Sequence, residues 1–195
     1  MPSRMLENPL VLPILGLLAE RSMHPYLIEM TLRERSPSNG WPVNRGSLNS
    51  VVSALNTAGW VEKAPAEKGT PASTRTVYAL TSSGFEELGR RVVLQIRDTT
   101  PEFSRFLGAA GYLGAVERAA ALDALDARLR SLEESIAALT QSYDAALADG
   151  LPRLTMIETE GALQARAAER DWVESVLLDI RSGELEWTTK VEIRQ

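Results

Sequence analysis

The spacing of apolar residues predicts a different element in each successive stretch of this chain. Leu10, Val11, Ile14, Leu15, Leu17 and Leu18 form a broad apolar face, as expected of a largely buried helix ending near Glu20. After a break at Ser22-Met23-His24-Pro25, the residues Tyr26, Ile28, Met30 and Leu32 supply a second helical segment to about Arg35. Ser36-Pro37-Ser38-Asn39-Gly40 is a turn cluster. Leu48, Val51, Val52 and Leu55 then recur at i, i+3, i+4 and i+7, so a third helix starts near Arg45 and stops at Gly59. Trp60–Ala64 and Thr74–Leu80 read as strands, the second rich in β-branched and aromatic residues, around a polar tip at Lys68-Gly69-Thr70-Pro71. Thr81 is placed to N-cap a helix running to about Arg97. Helix, helix, helix, ribbon, helix is the order of a winged helix-turn-helix.

The strongest periodicity lies further on. Leu122, Leu125, Leu129, Leu132, Ile136, Leu139, Tyr143 and Ala146 are spaced alternately by 3 and 4 residues, an a/d seam over more than three heptads. Asp123, Asp126, Arg128, Arg130, Glu133 and Glu134 fall between them as a solvated flank. Asp149-Gly150-Leu151-Pro152 ends that helix. A last helix, roughly Arg153 to Arg181, presents Leu154, Ile157, Ala165, Ala168, Trp172, Val176 and Ile180. A leucine seam cannot stay exposed, so Leu122, Leu125, Leu129, Leu132, Ile136 and Leu139 are expected to be covered both by the last helix and by a second chain. Trp172 is expected to anchor that dimer interface; its alternative is the wall of an effector pocket in which a flat aromatic ligand stacks.

Charge divides the chain at the same place as pattern. Residues 1–100 hold 11 Lys or Arg and 9 Asp or Glu, a balance of +2, whereas residues 101–195 hold 10 and 17, a balance of −7. With Pro101 biasing its neighbour away from helix, this predicts a winged unit over 1–98 and a helical dimerisation unit over 99–195. The fold class expected is mainly α with a small β-ribbon. The whole-chain charge of −5 excludes a uniformly basic coat, and no apolar run approaches the roughly 20 residues a membrane-spanning helix needs. A cytoplasmic location is the expectation.

Little in the sequence supports catalysis. There is no cysteine and only one histidine, His24, which removes thiolate chemistry and any scheme using two imidazoles. No spaced cluster of metal ligands, nucleophile elbow or phosphate-cradling glycine loop is present, so no cofactor is expected. His24, beside Pro25 at a helix start, reads as a turn or packing residue.

DNA binding has a physical basis. A helix entering the major groove needs one apolar face for docking and an opposite face of short polar groups. Arg45, Ser47, Asn49, Ser50 and Ser53 form that second face, and Lys63, Lys68 and Arg75 put positive charge on the ribbon, where a phosphate backbone would lie. Glu62 and Glu67 dilute that charge. The other reading is a winged-helix module that binds protein and not DNA.

Leu15-Gly16-Leu17-Leu18-Ala19-Glu20 and His24-Pro25-Tyr26-Leu27-Ile28 resemble the opening of PadR-type transcriptional regulators. Arg45-Gly46-Ser47-Leu48-Asn49, Leu55, Gly59-Trp60-Val61 and Arg75 through Gly84 are similar, in order, to that family's recognition helix, wing and following helix. The resemblance spans about residues 9–95 and implies a homodimeric repressor, released from its operator by a small molecule. Asn49 replaces the family's usual tyrosine and Pro25 its usual glycine. From these readings the expected partners are double-stranded DNA bearing an inverted repeat, a second copy of the chain and a small aromatic effector.

Overall fold

The structure is a computed structural model that describes residues 2–35, 45–64, 76–101 and 104–187. It divides into two units, Met1–Thr100 and Pro101–Gln195.

In the first unit α1 (Pro2–Leu6), α2 (Val11–Glu20), α3 (Pro25–Arg35) and α4 (Arg45–Thr57) precede a ribbon, β1 (Val61–Ala64) and β2 (Val77–Leu80), and α5 (Ser82–Arg97). The short α1 has too few apolar positions to show a period, so pattern alone does not reveal it. Val11, Ile14 and Leu15 of α2, Ile28 and Leu32 of α3, Leu48, Val51, Val52 and Leu55 of α4, and Val61 of β1 share one buried core. That core stabilises the unit because each large aliphatic side chain withdrawn from water contributes about 1.5–3 kcal/mol.

Polar contacts fix how the elements meet. The His24 ring accepts the Leu27 N–H at Nδ1, 3.0 Å away, so it caps α3 with an imidazole nitrogen. β1 and β2 are antiparallel, with Val61 opposite Leu80 and Lys63 opposite Tyr78. Met23 adds a one-residue bridge to the outer side of β2, exchanging backbone bonds of 3.0 and 2.9 Å with Tyr78. Both strands are shorter than the alternation suggested. Trp60 sits in the helix-terminating turn, its N–H bonded to the Leu55 carbonyl, after Gly59 has entered the left-handed region at φ +75°. Of the expected second strand, Thr74 and Arg75 lie outside the described residues and Thr76 is not paired. Thr81 caps α5 by accepting the Gly84 N–H. Asp98 Oδ1 takes the Thr100 N–H at 2.9 Å, turning the chain where the first unit ends.

The second unit is a helical hairpin with a short entry helix. α6 (Arg105–Ala110), capped by Ser104, leads through a 3-10 turn at Leu113–Ala115 into the long α7 (Arg118–Ala148). Gly150, at φ +84°, ends α7. Behind Pro152 the chain makes a 3-10 turn at Arg153–Met156, and α8 (Ile157–Ser182) starts four residues later than the spacing suggested. Leu125 and Leu132 of α7 pack on Val173, Leu177 and Ile180 of α8, with Leu122, Leu129 and Val176 at the edges. The seam is thus covered in large part by the same chain.

The α8 face turned inward is set by Val173, Leu177 and the expected Ile180, while Ile157 of α8 and Leu154 of the 3-10 turn are exposed. Two residues read as solvated flank bridge the hairpin instead: Asp126 accepts from Arg181 at 2.6 Å, and Arg128 pairs with Glu169. Arg118 donates to the Ile180 carbonyl at 2.5 Å, satisfying an acceptor in the last turn of α8.

Candidate nucleic-acid interface

α4 has two chemically distinct faces. Leu48, Val51, Val52 and Leu55 are fully withdrawn into the core, which leaves Asn49, Ser50, Ser53 and Thr57 on an exposed polar strip. Three of these groups are hydroxyls that reach only a short way from the helix, so a phosphate or base edge can approach the backbone closely. Ser50 Oγ donates to the Gly46 carbonyl and Thr57 Oγ1 to the Ser53 carbonyl, each at 3.0 Å. With their hydrogens occupied, these hydroxyls face outward as acceptors. Asn49 keeps an amide with both donor and acceptor, and it lines a cleft with His24, Tyr26, Glu29 and Tyr78.

The expected contact residues are distributed as follows. Asn49, Ser50 and Ser53 are exposed on one helix, and Ser47 is half-buried near its start. Arg45 opens α4. Lys63 is exposed on β1 and makes no ion pair with a described residue. Lys68 and Arg75 lie outside the described residues. Thr57, at i+4 from Ser53, extends the strip by one turn, a spacing visible in the sequence.

The ribbon and α5 are joined rigidly to the end of α4. Thr81 Oγ1 and Ser83 Oγ both donate to the Gly59 carbonyl, at 2.7 and 2.9 Å, and the Thr81 N–H reaches the Trp60 carbonyl at 3.1 Å. The Arg91 guanidinium lies 5.3 Å from the Trp60 ring centroid. Glu87 receives Arg90 and Arg91, and hydrogen bonding from Arg90 above all holds its carboxyl below the usual carboxylate range. These two arginines are thereby committed to α5, and Lys63 remains as the described ribbon cation without such a partner.

In the second unit the expected dimerisation residues separate. Leu125 and Leu132 are buried within the hairpin, whereas Leu122, Leu129, Ile136 and Leu139 are half-buried. Trp172 is 42% exposed and packs edge-on against Phe106, ring centroids 5.5 Å apart. No group of three or more potential metal ligands occurs among the described residues, and no described helix is long and apolar enough to cross a membrane.

Residues 14–90 match the Transcriptional regulator PadR-like family. No curated protein matches the chain. Among solved structures it is similar to Bacillus subtilis PadR in complex with operator DNA, at TM-score 0.74 and 22% identity over 89% of this chain and 99% of that one. The same Bacillus subtilis protein in complex with p-coumaric acid gives TM-score 0.69 and 22% identity, covering 88% of this chain and 99% of that one. The Vibrio cholerae virulence activator AphA gives TM-score 0.64 and 21% identity, covering 89% and 98%. The chain therefore has the fold of these regulators along nearly their whole length.

Proposed function

We propose that this chain, whose amino-terminal unit is PadR-like, is a sequence-specific DNA-binding transcriptional regulator that acts as a homodimeric repressor. The observation that carries the proposal is α4: a helix anchored by four fully buried aliphatic side chains and presenting Asn49, Ser50 and Ser53 outward, in a fold shared with an operator-bound protein. In this reading Arg45, Ser47, Asn49, Ser50 and Ser53 approach the major groove, while Lys63, Lys68 and Arg75 hold the flanking phosphates.

A balance of +2 over residues 1–100 is a small electrostatic footprint for one copy, and two copies on one duplex double it. Support for a second copy comes from apolar side chains left uncovered by a single chain. Phe85, Val93, Leu94 and Ile96 on α5 are exposed, as are Leu154, Ile157 and Leu178 in the hairpin. Half-buried Leu122, Leu129, Ile136 and Leu139 would complete their burial in the same way. Two-fold symmetry then calls for an inverted-repeat operator with half-sites about one helical turn, or a multiple of it, apart. A small aromatic effector would act by binding one arrangement of the two heads better than the other. Such a repressor works in the cytoplasm, with the nucleoid.

Recovery of genomic fragments on the full chain, followed by sedimentation of the recovered duplex with protein, tests the proposal. Two chains per duplex carrying an inverted repeat is the expected result; no selective recovery would overturn it.

A further inference from the structure

The cleft lined by Asn49 is chemically unlike a phosphate-binding surface. It measures about 570 Å³, well inside the range in which proteins hold small ligands, and lies between the start of α3, α4 and β2. These walls are tied to one another. Tyr78 of β2 exchanges backbone hydrogen bonds of 3.0 and 2.9 Å with Met23, the residue before His24. Leu48, next to Asn49, is sunk in the core at 1% exposed. The cleft is therefore held in shape by the fold.

Its chemistry is aromatic and neutral. Among the described residues no Lys or Arg lines it, so an anion such as a phosphate meets no cation there. Glu29 lines it, but this carboxylate is 7% exposed and its Oε1 is engaged by Arg33 at 2.9 Å, which balances its charge. The His24 and Tyr26 rings lie nearly parallel, 20° between planes with centroids 6.1 Å apart. Tyr26 is 44% exposed, so its ring is accessible from the cleft. With Nδ1 accepting the Leu27 N–H, His24 carries its ring proton on Nε2 and can donate from it. Asn49 adds an amide, a donor and an acceptor side by side. Near-parallel rings suit a flat ligand, and an amide without a competing charge suits a neutral edge that offers both a donor and an acceptor.

We propose that this cleft is a binding site for a free, neutral nucleobase or nucleoside of the adenine type, lying against the Tyr26 ring with its amino edge paired to Asn49. The pairing is the one by which an asparagine reads adenine in a duplex: the 6-amino group donates to Asn49 Oδ1, and Asn49 Nδ2 donates to a ring nitrogen. Asn49 also belongs to the exposed strip of α4, so a bound base covers a group that the operator needs. Regulation by that competition rests on the DNA-binding reading above; binding of the nucleoside does not.

The test is calorimetric titration of the full chain, without duplex, with adenosine and with purine riboside, which lacks the 6-amino group. Adenosine is expected to bind, and purine riboside to bind about fivefold or more weakly. Asn49→Ala should bring the two within about twofold of each other by removing the paired edge. Tyr26→Ala should weaken both by at least about fivefold and keep their ratio, because stacking does not read the amino group. Both side chains are exposed, so neither substitution removes a core group. Adenosine that does not bind, or that binds both variants as tightly as the wild type, overturns the proposal. A chain that binds single-stranded oligo-dA and ignores adenosine would assign the cleft to the bases of a strand, and the proposal fails. Since no duplex is present, a chain that binds no operator can still pass this test.

Discussion

Gly84 lies against Trp60 so closely that a Cβ at position 84 would stand 2.0 Å from the Trp60 carbonyl oxygen. The first turn of α5 is pressed on the backbone that links the end of α4 to the ribbon, and a backbone atom cannot rotate away. Gly84→Ala is expected to cost about 1–3 kcal/mol or more, as overpacking does. Gly89, in the same helix, has nothing within 4 Å of a Cβ, and Gly89→Ala should stabilise by about 0.5–1 kcal/mol. Urea denaturation of the two variants checks both signs.

The hairpin offers a matched pair. Leu177 is 1% exposed between α7 and α8, while its neighbour Leu178 is 59% exposed. Leu177→Ala should lose about 2–5 kcal/mol through lost transfer energy and the cavity left behind. Leu178→Ala should change the stability of an isolated chain by no more than about 0.5 kcal/mol, as surface substitutions do. In the proposed dimer its cost should instead rise with protein concentration, and thermal melts at several concentrations read that difference.

Glu87 sets a pH dependence. Its folded-state acidity is increased by the hydrogen bond from Arg90, offset in part by burial, with further help from Arg91. A carboxylate whose folded pKa lies below its unfolded value contributes stability above the unfolded pKa, and that contribution is lost as pH falls through the folded one. The wild-type chain should therefore lose stability as pH drops below about 4.5, the ordinary glutamate value. Glu87→Gln should be less stable at neutral pH and should show a shallower acid decline, as measured by melting temperature against pH.

Asn49 is the exposed member of the α4 strip able to donate and accept at one base edge. Asn49→Ala is expected to reduce discrimination between the selected operator and a shuffled duplex by about 1–3 kcal/mol, with little change in affinity for the shuffled one. Competition binding with the two duplexes measures this. Equal losses on both would assign Asn49 to the phosphate backbone.

The winged unit was legible because its signals are local. The period of α4, the stop at Gly59 and the cap at Thr81 each depend on residues within a few positions of one another, and each appears in the structure where spacing placed it. The a/d seam of α7 was legible for the same reason, and the face of α8 that meets it only in part, through Val176 and Ile180. Trp172 fits a helical period as well as Val173 and Leu177 do, and only packing against α7 chooses between them. The cleft beside Asn49 joins residues 24–29 to residues 48–49 and 76–78, so no window along the chain contains it. Arg128 and Glu169, 41 positions apart, likewise read as solvated charges until α7 and α8 are brought side by side.

Affinity as a function of salt tests the central claim most directly. Anisotropy of the selected duplex is titrated with the full chain at several salt concentrations, for the wild type and for Lys63→Gln. DNA docking by α4 and the ribbon predicts that log Kd rises linearly with log salt for the wild type. In Lys63→Gln the slope should be shallower by about 2, one phosphate contact being lost per protomer of a dimer. A wild-type affinity indifferent to salt, or a slope that Lys63→Gln leaves unchanged, would contradict the account.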